Sequence, residues 1–94
     1  MAYVIIRHKV KDFTTWKTQF DEHGTARAKA GCKGGKLFRA ASDPNDLVIL
    51  CEWDSVDNAR KFTQGEDIRA VMNRAGVIGT PEIHFLDRAE AFSK

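Results

Sequence analysis

Apolar and polar residues alternate at the start of the chain, where Tyr3 to Val10 reads YVIIRHKV, and that period of two predicts a half-buried β-strand. Asp12 has the character of a helix N-cap, and Phe13, Trp16 and Phe20 then follow at the three- and four-residue spacings that make one helical stripe. The stripe runs on through His23 or Gly24 to Arg27, and the helix is expected to end near Ala30, where Gly31, Gly34 and Gly35 break it. Two strand-like runs come next, GKLFRAAS and DLVILCEW, joined by Asp43-Pro44-Asn45-Asp46. Pro44 presets φ for a type I turn, so a tight hairpin is predicted there. With Ser42 facing Leu47, Phe38 falls opposite Cys51 and Ala40 opposite Ile49, while Leu37 and Arg39 meet Glu52 and Leu50 on the reverse face. A second helix, capped by Asp54 or Ser55, carries Val56, Ala59 and Phe62, and after an interruption near Gly65 also Ile68, Val71 and Met72. Gly76 and Gly79 end it, Pro81 leads into a last strand from Glu82 to Arg88, and residues 89–94 form a frayed tail.

The order β-α-β-β-α-β over residues 1–94 describes a single α+β domain of ferredoxin-like type, a four-stranded antiparallel sheet with its helices on one face. Laying the first strand parallel beside the third puts Val4, Ile6, His8, Phe38, Ile49, Cys51, Trp53, Ile83 and Phe85 under the helices. The reverse face collects Tyr3, Ile5, Arg7, Leu37, Arg39, Val48, Leu50, Glu52, His84 and Leu86. Leaving its apolar members wet forfeits roughly 1.5 to 3 kcal/mol each, against a total stability of about 5 to 15 kcal/mol for a small domain. The expectation is therefore a homodimer closed through this face, with Tyr3, Arg7, Arg39, Leu50, Glu52 and His84 at the interface and the charged members paired.

Composition narrows the classes without naming one. The 94 residues are 43% apolar and 30% charged with a formal charge of +2, and the basic residues are scattered among acidic ones, so no nucleic-acid stripe is expected. LVILC is the longest apolar run, far short of a membrane span, and the strand-like start lacks an export signal, which makes the cytoplasm the expected location. Cys32, in the Gly-rich loop, and Cys51, in mid-strand, read as free thiols of a reducing compartment. No His, Cys or carboxylate set has metal-ligand spacing. Gly31-Cys32-Lys33-Gly34-Gly35-Lys36 fails the phosphate-loop pattern, since Leu37 follows the Lys and a strand follows the loop.

The order of elements, the doubly apolar sheet and the stretch LVILCEWDSVDNARKF resemble the dimeric α+β barrel superfamily, above all its antibiotic-biosynthesis-monooxygenase-like branch. The resemblance covers nearly the whole chain and is carried most distinctively by Glu52-Trp53-Asp54-Ser55 followed by Ala59 and Phe62. It implies a dimeric barrel and a pocket between helices and sheet near His8, Trp16, Phe20, Trp53, Phe62 and Met72. It further implies chemistry without any cofactor, in which an electron-rich aromatic or polyketide-like substrate is deprotonated and reacts with dioxygen itself. The haem-degrading relatives use an Asn on the first strand and a Trp and a His on the second helix; here Arg7 or His8, Phe62 and Met72 stand at those positions, which puts haem degradation in doubt. His8 and His23 are the candidate proton acceptors, because neutral imidazole titrates near physiological pH. Each also has a plain structural reading, and the same pocket would serve a binding module that holds a small hydrophobic metabolite without turning it over.

Overall fold

The computed structural model describes residues 2–94. Alternation along the first segment is expressed as strand β1 (Ala2–Val10), with Val4, His8 and Val10 buried on one side and Arg7 and Lys9 exposed on the other. Asp12 caps helix α1 (Phe13–Glu22) as its composition predicts, its carboxylate accepting from the Thr15 amide at 2.9 Å. The expected single helix is two: the chain bends at His23, and α2 (Gly24–Ala30) continues at a new angle until Gly31, whose φ of 122° only glycine adopts readily. At the bend the guanidinium of Arg27 donates to the Phe20 carbonyl at 2.8 Å, so a side chain satisfies backbone at the end of α1.

Strands β2 (Cys32–Ala40) and β3 (Asp43–Trp53) form the hairpin, but the chain reverses at Ala41 and Ser42, earlier than expected. Ala40 pairs with Asp43, and the ladder then skips to Arg39 opposite Leu47, leaving Pro44, Asn45 and Asp46 as a bulge. The physical reason is local: the Asp43 carboxylate accepts from the Asn45 amide at 3.0 Å, and the Asn45 side chain in turn accepts from the Phe13 amide at 3.2 Å. The proline, which has no N–H to offer a ladder, sits in the excursion. Arg39 rather than Ser42 lies opposite Leu47, an odd shift of three positions, so the faces of β2 are exchanged. Leu37 packs into the core opposite Ile49, and Phe38, expected under the helices, is half exposed on the reverse face opposite Val48. Cys32 likewise belongs to β2, opposite Trp53, rather than to a loop.

Ser55 caps α3 (Val56–Thr63) by accepting from Asn58, and α4 (Glu66–Ala75) begins after Gly65 and ends at the left-handed Gly76. The last strand, β4 (Val77–Asp87), starts five residues earlier than Glu82, because a register shift between Arg7 and Lys9 of β1 takes up Gly79 and Pro81. The sheet order is β2-β3-β1-β4 and every neighbouring pair is antiparallel. The first strand is therefore antiparallel, not parallel, to the third: β1 and β2 run the same way across their helical crossover, and β3 fits between them running opposite to both. This is the ferredoxin-like βαββαβ arrangement, with four helices where two were expected, all on one face. Val4, Leu47, Ile49 and Trp53 are buried beneath them. Among the described residues the other face carries no helix: Tyr3, Ile5, Val48 and Leu50 lie half-buried along it, the tail residues Glu90 and Ala91 border a cleft with Tyr3 and Leu50, and Phe38 and Leu86 are 50% and 39% exposed. No helix among the described residues is long and apolar enough to cross a membrane.

Candidate functional site

Between the helices and the sheet lies a cavity of about 60 Å³, several times the ~10–15 Å³ that one water needs. The sequence-selected residues His8, Trp16, Phe20, His23, Trp53, Phe62 and Met72 all line it. They meet there because three apolar stripes converge: the β1 face that presents His8, the α1 stripe with Trp16 and Phe20, and the α3–α4 stripe with Phe62 and Met72. Trp16 and Phe20 stack at 4.8 Å between ring centroids, and Phe62 lies 5.3 Å from Trp53.

His8 is 5% exposed, its ring set edgewise to Trp16 at 5.7 Å, and neither ring nitrogen has a hydrogen-bond partner among the described residues. Nearly all buried polar groups are satisfied, so a doubly orphaned imidazole is the outstanding anomaly of the domain. Burial lowers its pKa to about 4, with the Asp46 carboxylate pulling weakly the other way, and the ring is neutral at physiological pH. His23, at the bend between α1 and α2, is partly exposed and stacks on Phe62 at 5.2 Å. Its pKa is also lowered, first by burial and then by Arg27, with Asp67 opposing and Arg74 adding to the fall.

Arg27 is a wall of this cavity that was not expected as a site residue, although the α1 stripe runs on to it. Its guanidinium lies 3.7 Å above the Phe20 ring, and burial disfavours its charge. Cys51 also lines the cavity, but burial and the neighbouring Cys32 push its thiol up to about 12, so it is no nucleophile at neutral pH. Thr63 is spent on helix backbone, donating to the Ala59 carbonyl at 2.9 Å. Among the described residues no cluster of three or more His, Cys, Asp or Glu is placed to hold a metal ion.

On the uncovered face stand Tyr3, Arg7, Leu50, Glu52 and His84, as the pleat requires. Arg39 does not join them: the exchange of β2 faces carries it to the helix side, over the Phe13 ring at 3.9 Å and donating to the Pro44 carbonyl at 2.9 Å. Arg7 makes a two-pronged contact with Asp46 at 2.8 and 3.2 Å, which holds that carboxyl below its usual range. The sequence pattern gives Asp46 to the turn; the bulge makes it a strand residue beside Lys9 of β1.

No protein-family model matches the chain, and no curated protein matches it in sequence. Its likeness to solved structures is extensive. A candidate antibiotic biosynthesis monooxygenase from Bordetella bronchiseptica superposes with a TM-score of 0.77 at 19% identity, covering 95% of this chain and 97% of that one. SnoaB, a cofactor-independent oxygenase from Streptomyces nogalater, gives 0.78 at 15% identity over 99% and 97% of the two chains. A further candidate antibiotic biosynthesis monooxygenase, from Caulobacter crescentus, gives 0.72 at 22% identity over 95% and 90%. These structures share the fold of this chain, in agreement with the fold that the sequence resemblance implies.

Proposed function

We propose that the protein is a cofactor-independent oxygenase of a small aromatic or polyketide-like molecule, with His8 as proton acceptor in the cavity beneath α1 and α4. The observation that carries this reading is the buried His8 ring with both nitrogens unpartnered, facing an apolar cavity. A substrate hydroxyl or acidic C–H would supply the missing partner. Burial keeps the imidazole unprotonated and ready to accept; it also makes it a weak base toward bulk water. Transfer becomes favourable when imidazolium and substrate anion form together as a contact pair in the low-dielectric cavity. The anion then gives one electron to dioxygen, the radical pair combines to a peroxide, and water is lost. A CH2 flanked by aromatic rings becomes a carbonyl, with one oxygen atom retained and the other leaving as water.

His23 is the second acceptor in reach of the same cavity, and His8 is preferred over it for its burial and its lack of partners. We further infer a homodimer joined through the uncovered sheet face, because Phe38 pairs with Val48, Leu50 with Ile5 and Leu86 with Tyr3 there, with Phe38 and Leu86 exposed. The low basicity of His8 equally suits a binding module, and one experiment divides the two. Purified protein is mixed with anthrone or 1-naphthol, and oxygen uptake is followed together with quinone absorbance. Turnover that disappears in His8→Gln and persists in His23→Gln supports the enzyme. Tight binding with no oxygen uptake above the buffer rate leaves the binding module.

A further inference from the structure

Every charged or titratable group on the cavity wall is a base or a weak acid: His8, His23, Arg27 and Cys51 are present, and no Asp or Glu is, among the described residues. A second cleft of about 160 Å³ continues from it, sharing Phe20, Arg27, Ile49 and Cys51. Its remaining ionisable walls are Cys32 and Lys36, again without a carboxylate. Arg27 stands where the two spaces meet. The single hydrogen bond the structure gives its guanidinium is to the Phe20 carbonyl, through Nη1. The acidic groups that act on it are the thiols of Cys51 and Cys32 and then Asp21, a carboxylate that is exposed and already holds the Lys17 ammonium at 2.6 Å. A partly buried cation with donors to spare, and no counter-ion among the described residues, sits beside an apolar space. The same space is lined by the His8 ring, with one donor and one acceptor unused.

We propose that the ligand is an aromatic monoanion, a hydroxyarene bearing a carboxylate, oriented with its hydroxyl on His8 and its carboxylate on Arg27. The proposal rests on the cavity being the ligand site, and it deepens that reading by naming the charge the ligand carries and which end of it faces which residue. The two groups act differently. His8 recognises a neutral donor and acceptor, while Arg27 supplies the compensating charge and can grip two oxygens at once through its planar fork. An anion arriving at Arg27 also removes the cost of holding an unpaired guanidinium against Phe20.

The test is calorimetric titration of the wild-type protein with 6-hydroxy-2-naphthoate and with its methyl ester, which keeps size and hydroxyl and loses the charge. The acid should bind roughly ten- to a hundredfold more tightly than the ester, the range a charge-assisted contact supplies. In Arg27→Gln that preference should vanish while ester affinity stays within about twofold, and Arg27→Lys should keep a reduced preference. Equal affinity of acid and ester for the wild type overturns the proposal, as does failure of both to bind. A preference that survives in Arg27→Gln also overturns it. Should Arg27→Gln fail to fold, the wild-type comparison and Arg27→Lys decide. Oxygen uptake is read separately: acid preference without uptake leaves this proposal standing and removes the oxygenase reading, and uptake with no acid preference does the reverse.

Discussion

The two faces of the sheet are written in the same alternating code and handle charge in opposite ways. On the covered face one ionisable group, His8, is buried without a partner and stays neutral. On the bare face Arg7 stays charged, half in water, beside Asp46. Enclosure by helices thus converts a histidine into a neutral polar group, whereas on the bare face the buried Asp46 carboxylate stays charged beside a guanidinium that remains in water. The proposed chemistry draws on the enclosed face and the proposed association on the other.

The comparison can be broken most violently through size. Trp53 is 2% exposed beneath the helices, and Trp53→Ala should lose about 3 to 5 kcal/mol in urea unfolding. Leu50→Ala, across the sheet, should lose less, and by an amount that depends on protein concentration if two copies share that face. A concentration-independent loss at Leu50, with a monomer in sedimentation, would remove the dimer.

Acid sharpens the contrast next. The folded pKa of His8, about 4, lies below its unfolded value of about 6.5, so the unfolded chain binds more protons between the two. Stability is then complete above pH 6.5 and falls as pH drops towards 4, by an amount on the order of 3 kcal/mol. Asp46 has a lowered pKa too, and its contribution is lost only at more acid pH, below the ordinary carboxylate value of 3.8. Equilibrium unfolding across about pH 2 to 8 should show the two windows, and His8→Leu should remove most of the upper one, leaving the smaller part that His23, whose pKa burial also lowers, contributes.

At neutral pH, His8→Leu should itself stabilise the protein by about 1 to 3 kcal/mol, since an unsatisfied buried polar group is removed. A residue that weakens its own fold is the pattern of a working site, and a destabilised His8→Leu would argue that the ring is structural. The smallest effect is expected at Arg7→Ala, because its guanidinium lies mostly in water; a loss in urea unfolding as large as that of Leu50→Ala would show that the contact with buried Asp46 matters more than this exposure suggests.

Much of this architecture is legible in the sequence. The faces of β1, β3 and the Glu82–Leu86 stretch of β4 follow from the period of two even with the first strand laid parallel to the third: either arrangement keeps the same alternate residues together. Strand β2 begins Cys-Lys-Gly-Gly-Lys, which has no alternation to read, and its faces hang on the turn alone. A contact from Asn45 to a distant helix amide moves that turn, and with it Phe38, Leu37 and Arg39. The cavity walls are recoverable because a stripe of Trp, Phe and Met at helical spacing must converge on the sheet. The isolation of His8 is not, since it reflects what every neighbouring element fails to offer.

The Asn45 contact has one more consequence. It ties the tip of the hairpin to the first turn of α1, one helical turn before Trp16, the ring against which His8 is set. A segment outside the cavity lining thereby bears on the tilt of the roof above it. Lengthening or shortening that bend is a way to retune which molecules fit while leaving every lining residue unaltered.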